Sequence, residues 1–255
     1  MSTMTISTLT STDTATDRAR ARPTRISVQP SGRGVVVEAL DRGDFLAPRL
    51  LDVDGRRVRI ALVGCCAMLV AGDQLELDVE VGAGVEVELV EPSGTVAYNA
   101  RGASASWAAR ATVATGGLLS WQAAPLVVAA GADLTRTITI DLAEGSRALF
   151  SEVVVLGRSG EVGGALRSGQ HVTYASIPLL VEELDLTDAA LRACPGILGR
   201  HRVVGTVAVF GHRPETLPGP TATYLAGPGA LVRVLSHAAH TIENEMHEVW
   251  QAWRL

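Results

Sequence analysis

A chain of 255 residues, 47% hydrophobic and 19% charged, can bury a sizeable core as one large domain. Its net charge of −5, with every one of the 22 basic residues an Arg, argues against a nucleic-acid surface, and no apolar run approaches the roughly 20 residues that a bilayer span needs. Three cysteines, Cys65, Cys66 and Cys194, are an odd number and do not suit a disulfide scaffold, so a reducing, cytoplasmic location fits the composition.

Residues 1–23 are rich in Ser, Thr, Arg and Ala without periodicity, which predicts a disordered N-terminal tail ahead of a single β-rich domain over residues 24–255. Arg25 to Val28 reads as a strand, with Gly34 to Glu38 as its neighbour across Ser31-Gly32. Arg56 to Val63 alternates charged and apolar residues and reads as another strand. From Gln74 onward Leu75, Leu77, Val79 and Val81 alternate with polar residues. After Gly82-Ala83-Gly84 the alternation resumes through Val85, Val87 and Leu89. Two such runs about a Gly-rich turn predict a β-hairpin with one apolar and one acidic face.

The pattern recurs about Gly116-Gly117 and Glu144-Gly145, and more weakly about Gly227-Pro228-Gly229. The turn glycines Gly84, Gly117 and Gly145 recur at about 30 residues, and units of that size cannot each bury a face alone, so they must stack. The expected fold is mainly β: stacked antiparallel hairpins forming a sandwich-like or β-superhelical body, with about two α-helices. The shorter helix follows Thr187 or Asp188 as N-cap and stops at Cys194-Pro195-Gly196. The longer runs from about His237 to Trp253, with Ile242, Met246, Val249, Trp250 and Trp253 on one stripe. Residues 214–228 hold four prolines and read as a surface loop.

Chemistry-bearing patterns are few. No phosphate-binding loop, Cys-x-x-Cys pair or nucleophile elbow is present, which argues against an enzyme. His237, His240 and His247 flank the apolar stripe of the last helix and either hold a borderline metal or form a solvated flank. Cys65 and Cys66 point to opposite faces if extended, which suits two small buried hydrophobes better than a shared metal. Asp73, after Gly72 at a strand start, has the ordinary role of bonding nearby backbone in a turn.

Several stretches together resemble the urease accessory protein D (UreD) family. They are Leu69 to Leu77, Val81 to Gly84, Gly94 to Tyr98, Leu119-Ser120-Trp121 and Pro125. The likeness continues through Gly131-Ala132-Asp133 with Thr135-Arg136, Leu142 to Gly145 and Leu156 to Glu161. The resemblance implies a scaffold rather than an enzyme. It would bind accessory protein F and the GTPase G, dock on apo-urease, and let nickel pass through its interior with no tightly held cofactor. Asp73 matches the Asp of the family's Gly-Asp motif and becomes a candidate for the polar lining of that passage. Ser93 and Thr95 fall where the family carries small hydroxyl residues. Glu161 falls near the family's Gly-Glu, at a shorter spacing, and becomes a second candidate on the nickel path. A conduit must release its ion, so scattered carboxylates and hydroxyls suit it better than a Cys/His cage. A different class, a non-catalytic β-sandwich ligand-binding module, would need exposed aromatics, and only 4% of the residues are aromatic.

Overall fold

The computed structural model describes residues 21–254. The first twenty residues of the expected tail lie outside them, and order is already present at Arg22. The Arg22 amide and side chain both donate to the carboxylate of Asp44 (2.9 and 3.0 Å), which holds that carboxyl below its usual range.

The chain opens with two antiparallel ribbons, β1 (Thr24–Ser31) with β2 (Gly34–Asp41), and β3 (Leu46–Asp54) with β4 (Arg57–Gly64). A superhelix follows. β5 (Gln74–Val81), β6 (Glu86–Val90) and β7 (Thr95–Ala97) make one turn of it, and β8 (Ala105–Val113), β9 (Leu118–Gln122) and β10 (Leu126–Val128) make the next. β11 (Asp133–Leu142) and β12 (Arg147–Leu156) continue it, and β13 (Ala165–Tyr174) with β14 (Ile177–Asp185) closes one side. The short helix α1 (Ala189–Arg192) leads to β15 (Val203–Phe210), β16 (Ala222–Tyr224) and β17 (Gly229–Ser236). A 3₁₀ turn, Ala239–Thr241, precedes the last helix, α2 (Glu243–Trp253).

Two facing sheets result. One runs β14-β13-β11-β8-β5-β1-β2, the other β16-β17-β15-β12-β9-β6-β4-β3, to which β10 joins through β12 and β7 through β10. The mainly β, superhelical body is the one the repeats predict; the pairing inside each repeat is not. β5 and β6 do not bond to each other across the Gly turn. β5 pairs in parallel with β1 and β8, and β6 pairs in parallel with β4 and β9. Each unit is an arch whose two strands face each other through their side chains. Alternation cannot tell the two apart, because a hairpin and an arch both bury every second residue on one face. At the arch Gly84, Gly116 and Gly145 all take positive φ (62°, 69° and 74°), and successive ones stack so closely that a Cβ on Gly116 would lie 3.8 Å from Gly84 Cα.

The core is built from these inward phases, Leu75, Leu77, Val79 and Val81 facing Val87, Leu89, Leu119, Trp121 and Phe150. The outward acidic residues meet arginines of neighbouring strands: Arg57 reaches Glu86 at 3.3 Å and Glu88 at 2.6 Å, and Arg59 reaches Glu88 at 3.4 Å. Three further expectations need correction. The last helix starts at Glu243 rather than His237, so His237 and His240 lie off it, although its apolar stripe is buried as expected. Cys65 is only half-buried and Cys66 is exposed, because the chain turns there between the two sheets instead of running extended through the core. The proline-rich stretch carries β16, which pairs with β17. α1 forms where its cap predicts, with the Asp188 carboxylate accepting from the amides of Ala190 and Leu191 (2.7 and 3.1 Å).

Candidate functional site

Six strand positions that alternation assigns to the core carry polar or charged residues. Arg136 sits in phase with Leu134 and Ile138, Glu152 with Phe150 and Val154, and Gln170 with Leu166 and Val172. Glu182 follows Leu180, Thr206 lies between Val204 and Ala208, and Arg233 follows Leu231, each on the inward side. Register gathers them. Across one sheet Trp107, Arg136 and Ser168 are direct neighbours, with Gln170 beside Glu182 one inward step along. Across the other, Glu152, Thr206 and Arg233 are direct neighbours.

Side chains from the two sheets meet in this layer. The guanidinium of Arg136, 1% exposed, is ion-paired with the carboxylate of Glu152, 7% exposed. The Gln170 amide donates to the other oxygen of Glu152 at 2.5 Å. Arg136 also lies over the Trp107 ring, 4.6 Å from its centroid, and its Nε has no protein partner. Further along, Arg233 grips Glu182 through both terminal nitrogens, one at 2.7 Å, and its Nε reaches Thr206 Oγ1 at 3.4 Å. The Glu182 bond holds Arg233 firmly charged.

The row is open at both ends. Arg233 and Glu182 are each 28% exposed at one end. At the other, Glu91 is half-buried just past β6 and lines a cleft of about 550 Å³ beneath α2, shared with Ser93, Gln122, Ser151, Glu243 and His247. Burial pushes the Glu91 carboxyl up, against hydrogen bonds from the Trp121 indole (2.9 Å) and the Ala124 amide (3.2 Å) and against the charge of Arg136.

The residues expected from the sequence lie off this row. Asp73 closes a turn: its carboxylate accepts from the Val70 amide at 2.9 Å, and its own amide donates to the Val70 carbonyl at 3.0 Å, with Leu69 at φ +62°. Ser93 is exposed on the cleft, and Thr95 begins β7 with its amide on the Pro125 carbonyl. His237 stacks on His201, ring centroids 4.8 Å apart, while His247 lines the cleft and His240 is exposed. Among the described residues no group of three or more His, Cys, Asp or Glu is placed to hold a metal ion.

Glu161 is held by its own loop. Arg158 donates to it through Nε (2.9 Å), Nη2 (2.6 Å) and its backbone amide (3.1 Å), and the Ala130 amide adds a fourth bond. These bonds pull the carboxyl from 4.5 down to about 2. A depressed carboxyl stabilises the fold above its unfolded value and loses that contribution as pH falls through the folded one. Glu161→Gln is therefore expected to melt below the wild type at neutral pH, with the gap closing as pH drops from about 4.5 toward about 2. A gap independent of pH would show that the carboxylate charge is not what fastens the loop.

What the geometry defines is a β-superhelical scaffold whose apolar interior is crossed by one ion-paired polar row, open at a cleft. Known proteins share this chain's sequence over nearly its whole length. The family model for the UreD urease accessory protein matches residues 20–255. A protein named urease accessory protein UreD 1, from Streptomyces griseus, is 49% identical over 234 residues, 91% of each chain. Another of that name, from Saccharopolyspora erythraea, is 33% identical over 88% of this chain and 91% of its own. The urease accessory protein UreD of Streptomyces avermitilis is 32% identical over 84% and 86%. The chain belongs to the UreD family of urease accessory proteins.

Proposed function

We propose that this chain is a non-catalytic scaffold for nickel insertion into apo-urease. It assembles with accessory protein F, the GTPase G and the urease subunits in the cytoplasm. Nickel(II), as cargo rather than resident cofactor, crosses its interior along the polar row from the Glu91 cleft to Glu182. The observation that carries this reading is the row itself. Setting five ionisable groups between two apolar sheets, Arg136 and Glu152 buried and the other three partly so, costs stability unless they are paired, and no packing need explains why they form one line with both ends accessible.

Two other features support it. Edge strand β3 leaves Leu50, Leu51 and Val53 about half exposed, and edge strand β14 does the same with Ile177 and Val181. Unpaired apolar edges of this kind suit covering by partner chains. Asp73 and Glu161, both anchored by backbone amides, serve in this reading to shape loops beside the body.

The test is nickel loading by an assembled complex. Glu91→Gln and Glu182→Gln, which remove charge at the two ends, are expected to leave the protein co-purifying with F, G and urease while lowering the nickel content of urease several-fold. Normal loading by both variants would refute passage along the row. Failure of either to co-purify would instead make that residue part of an interface.

A further inference from the structure

The row contains something a simple cation path would avoid: two guanidiniums seated on its carboxylates. It holds three carboxylates, Glu91, Glu152 and Glu182, and two guanidiniums, Arg136 and Arg233. Glu152 and Glu182 each have an arginine, whereas the groups bonded to Glu91 are the neutral Trp121 indole and Ala124 amide. The one carboxylate without an arginine bound to it is thus the one at the cleft.

A bare carboxylate so deeply buried would hold any cation that reached it. Arg136 already occupies that place on Glu152. Arg136 is also placed to let go. Its guanidinium carbon lies over the Trp107 ring, a contact that favours a cation whether or not the guanidinium is on Glu152. Its Nε has no protein bond to break, and Gln170 stays on Glu152 through a separate oxygen. At the far end Arg233 has Thr206 as a second partner beside Glu182.

Building on the passage reading above, we propose that Arg136 and Arg233 are resident counter-ions that keep the row from retaining a divalent cation. A cation enters at Glu91 and advances by displacing each guanidinium in turn, Arg136 from Glu152 and then Arg233 from Glu182. Each arginine returns to its carboxylate behind it. No bond to the protein outlasts the transit, and the empty row stays charge-compensated.

The inference predicts a gain of function that passage alone does not. Removing the guanidinium should turn a path into a trap. Full-length protein without a histidine tag is titrated with nickel(II) by equilibrium dialysis, and binding that depends on Glu152 is taken as the difference from the matching Glu152→Gln variant. The wild type is expected to show no such binding at micromolar free nickel. Arg136→Met is expected to gain one site at least about tenfold tighter, the effect a neighbouring charge has on an ionic equilibrium, and Arg136→Met/Glu152→Gln to lose it. If Arg136→Met does not fold, Arg136→Lys decides. Its ammonium grips a carboxylate at one point instead of through a planar fork, so a smaller gain is expected. Variants that bind nickel as the wild type does, or a wild type that already holds nickel through Glu152, would overturn the proposal. The assay involves no urease, so it can fail while the loading experiment succeeds, and the reverse.

Discussion

Glu152→Ala is expected to destabilise the fold by about 3–5 kcal/mol, because it strands the buried guanidinium of Arg136 without its partner. Arg136 is 1% exposed and its remaining contacts, the Trp107 face and backbone neighbours, do not offset a full charge. At about 2–4 °C per kcal/mol for a chain of this size, the loss is large in a thermal melt. The paired substitution Arg136→Met/Glu152→Leu should recover most of it, since replacing both members of a buried pair by apolar groups is often neutral or better. A double variant as unstable as the single one would show that the pair organises the core. A double variant that regains stability yet fails to load nickel into urease would show that the pair is kept for transit. The two effects separate because stability depends on whether a charge is left alone, whereas the proposed passage would depend on whether a carboxylate is there at all.

Much of this body is legible in the chain and the central element of the site is not, for a common reason. Alternation reveals which side chains face inward, so the core residues of β5, β6 and α2, and the recurrence of the unit, can be read directly. It carries no information on which strand lies beside which, so an arch reads as a hairpin until Val79 is found beside Ala111 and Ile26 rather than beside its own sequel. β13 and β14 escape notice because they carry polar residues in their apolar phase, which erases the period. The polar row left a trace of the same kind. Arg136 between Leu134 and Ile138, Glu152 between Phe150 and Val154, and Arg233 between Leu231 and Leu235 are each a charge set in an apolar phase. Read singly, each looks like an irregular strand; only register shows that the irregularities share one layer. Asp73, Ser93, Thr95 and Glu161 are singled out by the family resemblance and all sit beside glycines, and Asp73 and Glu161 there fasten backbone, as such residues do in turns.

Trp250→Ala is expected to cost a further kind of stability, again about 3–5 kcal/mol, by opening a cavity under α2. Trp250, Trp253, Val249, Met246 and Ile242 form a second apolar cluster on the outer face of the β12-β15-β17 sheet, with Leu149, Val207, Val209 and Val232 beneath them. The helix comes this close because Gly205 presents no side chain; a Cβ there would lie 2.7 Å from the Ile242 Cδ1. This cluster lies on the opposite side of the sheet from Glu152 and Arg233, whose neighbours along β12, β15 and β17 alternate between the two cores. Loosening α2 should therefore expose valines and promote self-association, seen as a shift to larger species in gel filtration, while leaving the ion pairs intact. It should also widen the cleft that Met246 and His247 share with Glu91. A loss below about 1 kcal/mol would mean that the helix is a removable cover, since full burial of a tryptophan cannot be so cheaply given up. A loss of the expected size, together with nickel loading that falls further than the amount of folded protein, would place α2 as the wall of the Glu91 cleft, whereas loading that follows only the folded amount would make it structural cover.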